Sequence, residues 1–402
     1  MDNSVLDKLT VETESKIIFL IMDGLGGLQA NGKTGTELEE GNIPNLDQLA
    51  KDSICGLLDP ILPGVTPGSG PAHFALFGYE PMKFNIGRGV LSAAGVEFNL
   101  TDRDLAARVN FCTLDDNGNV ADRRAGRIAT ELNEKLCEKI KKNINIPTGY
   151  EFFMQPEKEH RAVFVLRGAG LDDALSDTDS QQTGVPPRDP KAMTEEAEKS
   201  AVLVKGLLAQ IQEILADEHP ANMILLRGFA KHRRYPSLYK RFKLRALAIA
   251  NYPMYRGVSK LVGMELNPVT PDVPTQIDAL EQRFDEFDFF FVHVKYTDSR
   301  GEDGDFAAKV KVIEEVDALI PRIRKLDPDV FVITGDHSTP AYLKNHSWHP
   351  VPVLLNAGTA RVDRVEKFDE ISCINGGLGR QPSLNLMGLS LGHALKMVKF
   401  GA

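Results

Sequence analysis

The sequence is poor in cysteine and shows no pattern in what it has. Its four cysteines, Cys55, Cys112, Cys137 and Cys373, form no C-x-x-C pair. That excludes a readable zinc knuckle or dithiol redox motif and leaves free, mostly buried thiols as the expectation. No apolar stretch reaches the roughly 18 residues that span a membrane. The N-terminal MDNSVLDKLTVETES lacks the basic and apolar regions of a secretion signal, so a cytoplasmic protein with no membrane partner is expected. An excess of positive charge is lacking too: 47 lysines and arginines face 56 aspartates and glutamates, for a formal net charge of −9, the wrong sign for a nucleic-acid binder, and no nucleic-acid partner is expected. An acidic chain can still take a phosphorylated substrate if arginines gather locally. Internal repeats and low-complexity tracts are also missing.

Length is ample. A chain of 402 residues exceeds one compact core, and two domains are expected. Lys16–Met22, KIIFLIM, is a continuous apolar run of the kind buried on both faces of a parallel sheet. Similar runs recur at Ala162–Leu166, Met223–Leu226, Asp288–Val294, Val330–Thr334 and Val351–Leu355. Helical patterns lie between them. The clearest is Asp305–Leu326, where Phe306, Val310, Ile313, Val316, Ile320 and Ile323 make one apolar stripe. Pro321 is expected to bend or loosen its last turn. Alternating strands and helices predict an α/β fold around a doubly wound, mostly parallel sheet, with ligands at the C-terminal strand ends. Candidate metal and nucleophile residues fall before about Tyr79 and after about Lys295, and arginine motifs fall between. This predicts a catalytic domain of residues 1–84 plus 276–402 and an inserted domain of residues 85–275, with the Pro-rich Asn267–Thr275 as the return hinge.

Four segments could carry chemistry. Asp23 closes the first apolar run, although one aspartate before glycine is by itself an ordinary turn residue. Ser69 sits in Pro67-Gly68-Ser69-Gly70-Pro71-Ala72-His73. Pro71 suits a first helical position, which sets Ser69 beside a helix N-terminus, where backbone N–H groups favour an anion. A serine that merely caps the helix fits the same seven residues. Asp298, Glu302 and Asp303 cluster after the run at 288–294. Asp336-His337 follow the run at 330–334, with His346 and His349 soon after. Carboxylates and imidazoles at strand tips can converge on divalent metals, and two such ions can hold the attacking and leaving oxygens of a phosphoryl transfer. The middle segment supplies Arg123, Arg124 and Arg127 in DRRAGR, Arg161 and Arg167 flanking an apolar run, and Arg227 after another. Arginines there could grip carboxylate or phosphate bidentately, though each alone reads as a solvated charge.

These segments, in order, resemble the archaeal-type cofactor-independent phosphoglycerate mutases. IIFLIMDGLGG, IPNLDQLAKDSICGLLDPILPGVTPGSGPAHFALFGYEP and GRGVLSAAGVEF are similar to the N-terminal part of that family. DRRAGR, HRAVFVLRGAGL with SDTD, and LLRGFAK resemble its inserted domain, and VKYTDSRGEDGDFAAKVKVIEEVD, TGDHSTP with NHSWHPVPVLL, and GGLGR resemble the rest. The resemblance implies an alkaline-phosphatase-like catalytic domain, an inserted α/β transferase domain and two divalent ions, manganese first, with zinc or magnesium as alternatives. One ion would be held by Asp23, Ser69, Asp336 and His337. The other would be held by Asp298, Glu302 and His346, the histidine that leads the family's H-x-x-x-P-V-P pattern. Ser69 would become a phosphoserine while glycerate stays bound, interconverting 3-phosphoglycerate and 2-phosphoglycerate without added bisphosphoglycerate. Arg123, Arg124, Arg127, Arg161 and Arg227 would bind the substrate, and Arg256 and Lys295 would assist catalysis. The resemblance leaves room for a homo-oligomer.

Two departures from the family stand out. Glu302 stands where it carries a histidine, and Gly70-Pro71 stand where it carries Asp-Thr. A related metal-dependent phosphotransferase or phosphatase on another small substrate, homoserine-kinase-like, and a non-catalytic paralogue therefore remain as alternatives.

Overall fold

The computed structural model describes residues 4–30, 32–84 and 86–401. In chain order its strands are β1 (Ile17–Met22), β2 (Ile54–Asp59), β3 (Asp104–Leu114), β4 (Val120–Asp122), β5 (Tyr150–Lys158), β6 (Arg161–Gly168), β7 (Met223–Lys231), β8 (Ala246–Ile249), β9 (Glu265–Leu266), β10 (Phe289–Val294), β11 (Val330–Thr334), β12 (Val351–Ala357) and β13 (Gly379–Pro382). They divide between two compact units, Met1–Asn85 with Tyr235–Ala402, and Ile86–Arg234.

The first unit is built on an eight-stranded sheet in the order β13-β2-β12-β11-β1-β10-β8-β9. Every pairing is parallel except the two made by β12. The apolar runs are explained by burial on both faces: every residue of β1, β10 and β11 is buried. Each large aliphatic or aromatic side chain taken out of water there contributes about 1.5–3 kcal/mol. One face packs Ile18, Leu20, Phe290, Val292, Phe331 and Ile333 against helices that include Pro44–Lys51, Val273–Arg283 and Phe306–Asp317. The α/β class and the mostly parallel sheet of the sequence reading are thus observed. So are buried, unpaired thiols at all four cysteines.

Three expectations change. The return to the first unit comes at Tyr235, not near 276, because β8 pairs in parallel with β10 and β9 with β8. Asn267–Thr275 is therefore a connection within the first unit; the expected start of the insertion, at 85, lies outside the described residues. The long helix is broken rather than bent. It runs Phe306–Asp317 and restarts as Ile320–Arg324 with Pro321 in its first turn, where the missing N–H is not needed. Its inward face carries Lys309, Val312, Ile313, Val316 and Asp317, so a lysine and an aspartate that the apolar stripe left out are buried with it.

The second unit is antiparallel throughout. Its sheet runs β4-β3-β6-β5, with β7 also paired to β3. The run at 162–166 lies in β6, between β3 and β5, and the run at 223–226 lies in β7, paired to β3. Helices Thr130–Asn143 and Glu198–Leu215 bury one face through Leu136, Ile140, Val204, Leu207 and Ile211. No described helix in either unit is long and apolar enough to cross a membrane.

Candidate active site

The site lies along one edge of the large sheet. Asp23 follows β1, Asp298 lies in the helix Tyr296–Asp303 that follows β10, and Asp336-His337 follow β11. Because β12 runs the other way, its N-terminal approach brings His346 to the same edge. Ser69 begins the helix Ser69–Leu76, with Gly68 as its cap, so the serine and not Pro71 takes the first helical position. The C-terminal edge of a parallel sheet is where such folds gather ligands.

Two donor sets converge. Asp23, Asp336 and His337 offer atoms within 4.8 Å of one another, and so do Asp298, His337 and His346. Ser69 Oγ lies 3.1 Å from His337 Nε2. That nitrogen is also 3.4 Å from Asp23 Oδ1 and 3.2 Å from Asp336 Oδ2. The hydrogen bonds fix the tautomer. Thr339 Oγ1 donates to Asp298 Oδ1 at 2.6 Å, since an ionised carboxylate only accepts. The same hydroxyl oxygen therefore accepts from His337 Nδ1, at 2.9 Å. Nε2 is left with a lone pair directed at Ser69. His346 likewise donates from Nδ1 to the Pro67 carbonyl at 3.0 Å, which leaves its Nε2 available 3.5 Å from Asp298 Oδ1.

Electrostatics favour a cation. Asp23 and Asp336 are 0% exposed, and Asp23 Oδ1 and Asp336 Oδ2 have no hydrogen-bond partner. Burial above all, then the neighbouring Asp336, holds the Asp23 carboxyl well above the usual range. Burial likewise pushes Asp336 up to about 7. Burial holds His337 well below its ordinary value, and His346 beside it adds to this. Lys295 contacts Asp298 and lies 3.0 Å from Asp23 Oδ2; burial works against its charge, but the two carboxylates outweigh it and raise its pKa. Orphaned buried oxygens beside neutral imidazole nitrogens are what divalent ions bind, so the residues present fit the two ions implied by the sequence.

The other expected residues are placed as follows. Glu302 is 54% exposed at its side chain, with Oε1 4.0 Å from His346 Nε2, at the rim of the second donor set. Arg256 is buried, and its Nη1 donates to the carbonyls of Ala250 and Asn267 at 3.2 and 2.6 Å. In the second unit, Arg123 grips Asp179 with two bonds of 2.9 and 2.6 Å, and Arg227 Nη1 lies 3.6 Å from the same carboxylate. Arg124 and Arg127 are exposed around a turn whose amides at Arg124 and Gly126 donate to Asp122. Burial first, then Arg161, Arg108, Arg124 and Arg127, lowers His160 to about 4, the mark of a local positive potential in an acidic chain.

Sequence reasoning missed several neighbours of Asp23. Tyr255, next to the expected Arg256, donates to Asp23 Oδ2. His293 Nε2 lies 3.5 Å from Asp23 Oδ2 and its ring stacks on Tyr255 at 3.8 Å. A histidine inside FFFVHV was the available signal. His73 donates from Nδ1 to the Ser69 carbonyl at 2.8 Å and sits 3.3 Å from Asp336 Oδ2.

Known proteins resemble the chain over nearly its whole length. A family model described as 2,3-bisphosphoglycerate-independent phosphoglycerate mutase matches residues 50–222. Proteins from Thermus thermophilus and Thermotoga maritima, each named probable 2,3-bisphosphoglycerate-independent phosphoglycerate mutase, are 48% and 47% identical. The alignments cover 99% of this chain, and 99% and 98% of those proteins. Among solved structures, a protein from Pyrococcus horikoshii is similar with a TM-score of 0.84 at 28% identity, over 97% of this chain and 100% of that one. The cofactor-independent phosphoglycerate mutase of Thermoplasma acidophilum gives 0.70 at 27% identity, over 94% and 100%.

Proposed function

The chain belongs to the 2,3-bisphosphoglycerate-independent phosphoglycerate mutase family, and we propose that it interconverts 3-phosphoglycerate and 2-phosphoglycerate, an isomerase step of glycolysis and gluconeogenesis, through a phosphoserine at Ser69. The observation that carries the phosphoserine is the meeting of Ser69 Oγ with His337 Nε2 at 3.1 Å beside the unpartnered Asp23 Oδ1 and Asp336 Oδ2.

Ser69 Oγ attacks phosphorus as the bond from phosphorus to O3 of the substrate breaks, and glycerate keeps its carboxylate and both hydroxyls. O2 then attacks the phosphoserine and the Oγ–P bond breaks; the Ser69 proton ends on O3 in the first transfer, and the O2 proton ends on Oγ in the second. No water is consumed. The first-turn amides of the helix at Ser69 stabilise the phosphoserine, since they have no intrahelical acceptor. Lys295, lying against Asp23 and Asp298, and Arg256 are the basic side chains assigned to assist. Arg123, Arg124, Arg127, Arg161 and Arg227 are assigned to hold carboxylate and phosphate, so that glycerate stays between the two transfers.

Asp23, Ser69, Asp336 and His337 would hold one divalent ion and Asp298, Glu302 and His346 the other, manganese in preference to zinc or magnesium. Such ions supply Lewis-acid stabilisation of the transferring phosphoryl group and lower the pKa of the serine hydroxyl. A glycolytic reaction supports a cytoplasmic location, and one chain holds every residue used here. An enolase-coupled assay with manganese and no bisphosphoglycerate tests the reading: steady turnover is expected, and none with any of the three metals would overturn it.

A further inference from the structure

The helix Phe306–Asp317 turns a lysine inward. Lys309 is 0% exposed, and its ammonium donates to the carbonyls of Gly24, Gly26 and Thr339 at 2.9, 3.1 and 2.9 Å. All three of its hydrogens are thereby satisfied. Gly24 and Gly26 lie in the turn after Asp23, and Thr339 lies in the turn after Asp336-His337. Glu37, also 0% exposed, spans the same two turns. Its Oε2 accepts from the Leu28 amide at 3.1 Å and its Oε1 from the Ala341 amide at 2.8 Å, with Oε1 3.7 Å from the ammonium. Glu370 accepts from the Gly27 amide at 2.7 Å.

Displacement of these turns would reach the donor atoms directly. Gly24 N donates to Asp336 Oδ1 at 3.1 Å, and the Thr339 hydroxyl bonds both Asp298 and His337. There is no slack between them: a Cβ at Gly24 would lie 2.5 Å from Thr339 Oγ1, and one at Gly301 would lie 2.1 Å from the Thr339 carbonyl oxygen.

We propose that Lys309 is a positioning residue, a buried ammonium that ties the Asp23 turn to the Asp336–Thr339 turn and so sets the spacing of Asp23 Oδ1, Asp336 Oδ2 and His337 Nε2. This rests on the reading that those atoms hold a divalent ion. A compact ammonium suits three converging carbonyls, whereas a planar guanidinium does not. A buried charge is weak as a source of stability, so its effect belongs on the precision of the donor set.

The test is a manganese titration of the full chain, read as free Mn2+ by paramagnetic resonance, with deuterium exchange of amides 24–28 and 338–341 measured on the metal-free proteins. Wild type is expected to take up two ions per chain. Lys309→Met is expected to keep its circular dichroism, to bind at least one ion about 10–100-fold more weakly, as loss of an outer hydrogen-bond partner of a metal site commonly does, and to exchange those amides faster. A folded Lys309→Met that binds both ions as tightly as wild type overturns the proposal. Should that variant not fold, Glu37→Gln keeps the shape and removes the charge; about tenfold weaker binding is expected, and unchanged binding overturns the proposal. Wild type that takes up no manganese overturns the metal reading, and this proposal with it.

Discussion

Ser69 Oγ and His337 Nε2 are 3.1 Å apart, and the Thr339 hydroxyl behind the ring assigns the lone pair to the nitrogen that faces the serine. The serine oxygen and that lone pair, held in place by Thr339 and Asp298, are thus presented side by side to one divalent ion, whose coordination would activate a weak nucleophile. Ser69→Ala is expected to lower mutase turnover by at least about a thousandfold with an unchanged thermal transition. Residual turnover within tenfold of wild type would remove Ser69 from the reaction.

Much of this site was legible because its residues sit at strand tips. Asp23, Asp298 and Asp336-His337 each interrupt or follow an apolar run, and the run itself marks the strand. Tyr255, His293 and Lys309 were not legible in the same way. Each acts through a contact between segments far apart in sequence, and Lys309 sits on a helix whose stripe, read alone, left it outside. The antiparallel β12 and the antiparallel second unit escaped for a related reason: an apolar run says that both faces of a strand are covered, not which way its neighbours run.

Tyr255 is a neutral donor to the Asp23 carboxylate. Tyr255→Phe keeps the ring stacked on His293 and removes the hydroxyl that donates to Asp23 and accepts from Lys295 Nζ at 3.5 Å. It is expected to lower turnover or manganese affinity about 10–100-fold while leaving the fold intact, checked by steady-state kinetics beside a manganese titration. Wild-type values in both would make the contact incidental.

Glu302 is the outermost of the proposed ligands. Glu302→Gln should weaken one of two manganese equivalents and leave the other near its wild-type affinity, because Asp23, Asp336 and His337 are untouched. Calorimetry separates the two binding steps. If neither step moves, Glu302 lies outside the metal site.

Protonation gives a further check on metal-free protein. Burial pushes Asp336 up to about 7, whereas an unfolded aspartate titrates near ~3.9. Folding therefore favours the protonated carboxyl. That contribution is fully present below ~pH 4 and is lost as pH rises toward 7. Measured against Asp336→Asn in chelator, wild type is expected to lose stability across this window, on the order of 3 kcal/mol. Urea midpoints at about pH 4.5 and 7.5 decide it, and parallel shifts of the two proteins would contradict the raised pKa.

The central claim is that phosphate passes through Ser69. Incubation of the manganese-loaded protein with 3-phosphoglycerate, acid quenching within the first turnovers and peptide mass spectrometry test it most directly. The expected result is a phosphate on the peptide containing Pro67-Gly68-Ser69-Gly70-Pro71, localised to Ser69 and absent from Ser69→Ala. An active enzyme that shows no phosphopeptide at any quench time, or one phosphorylated at another residue, would contradict it.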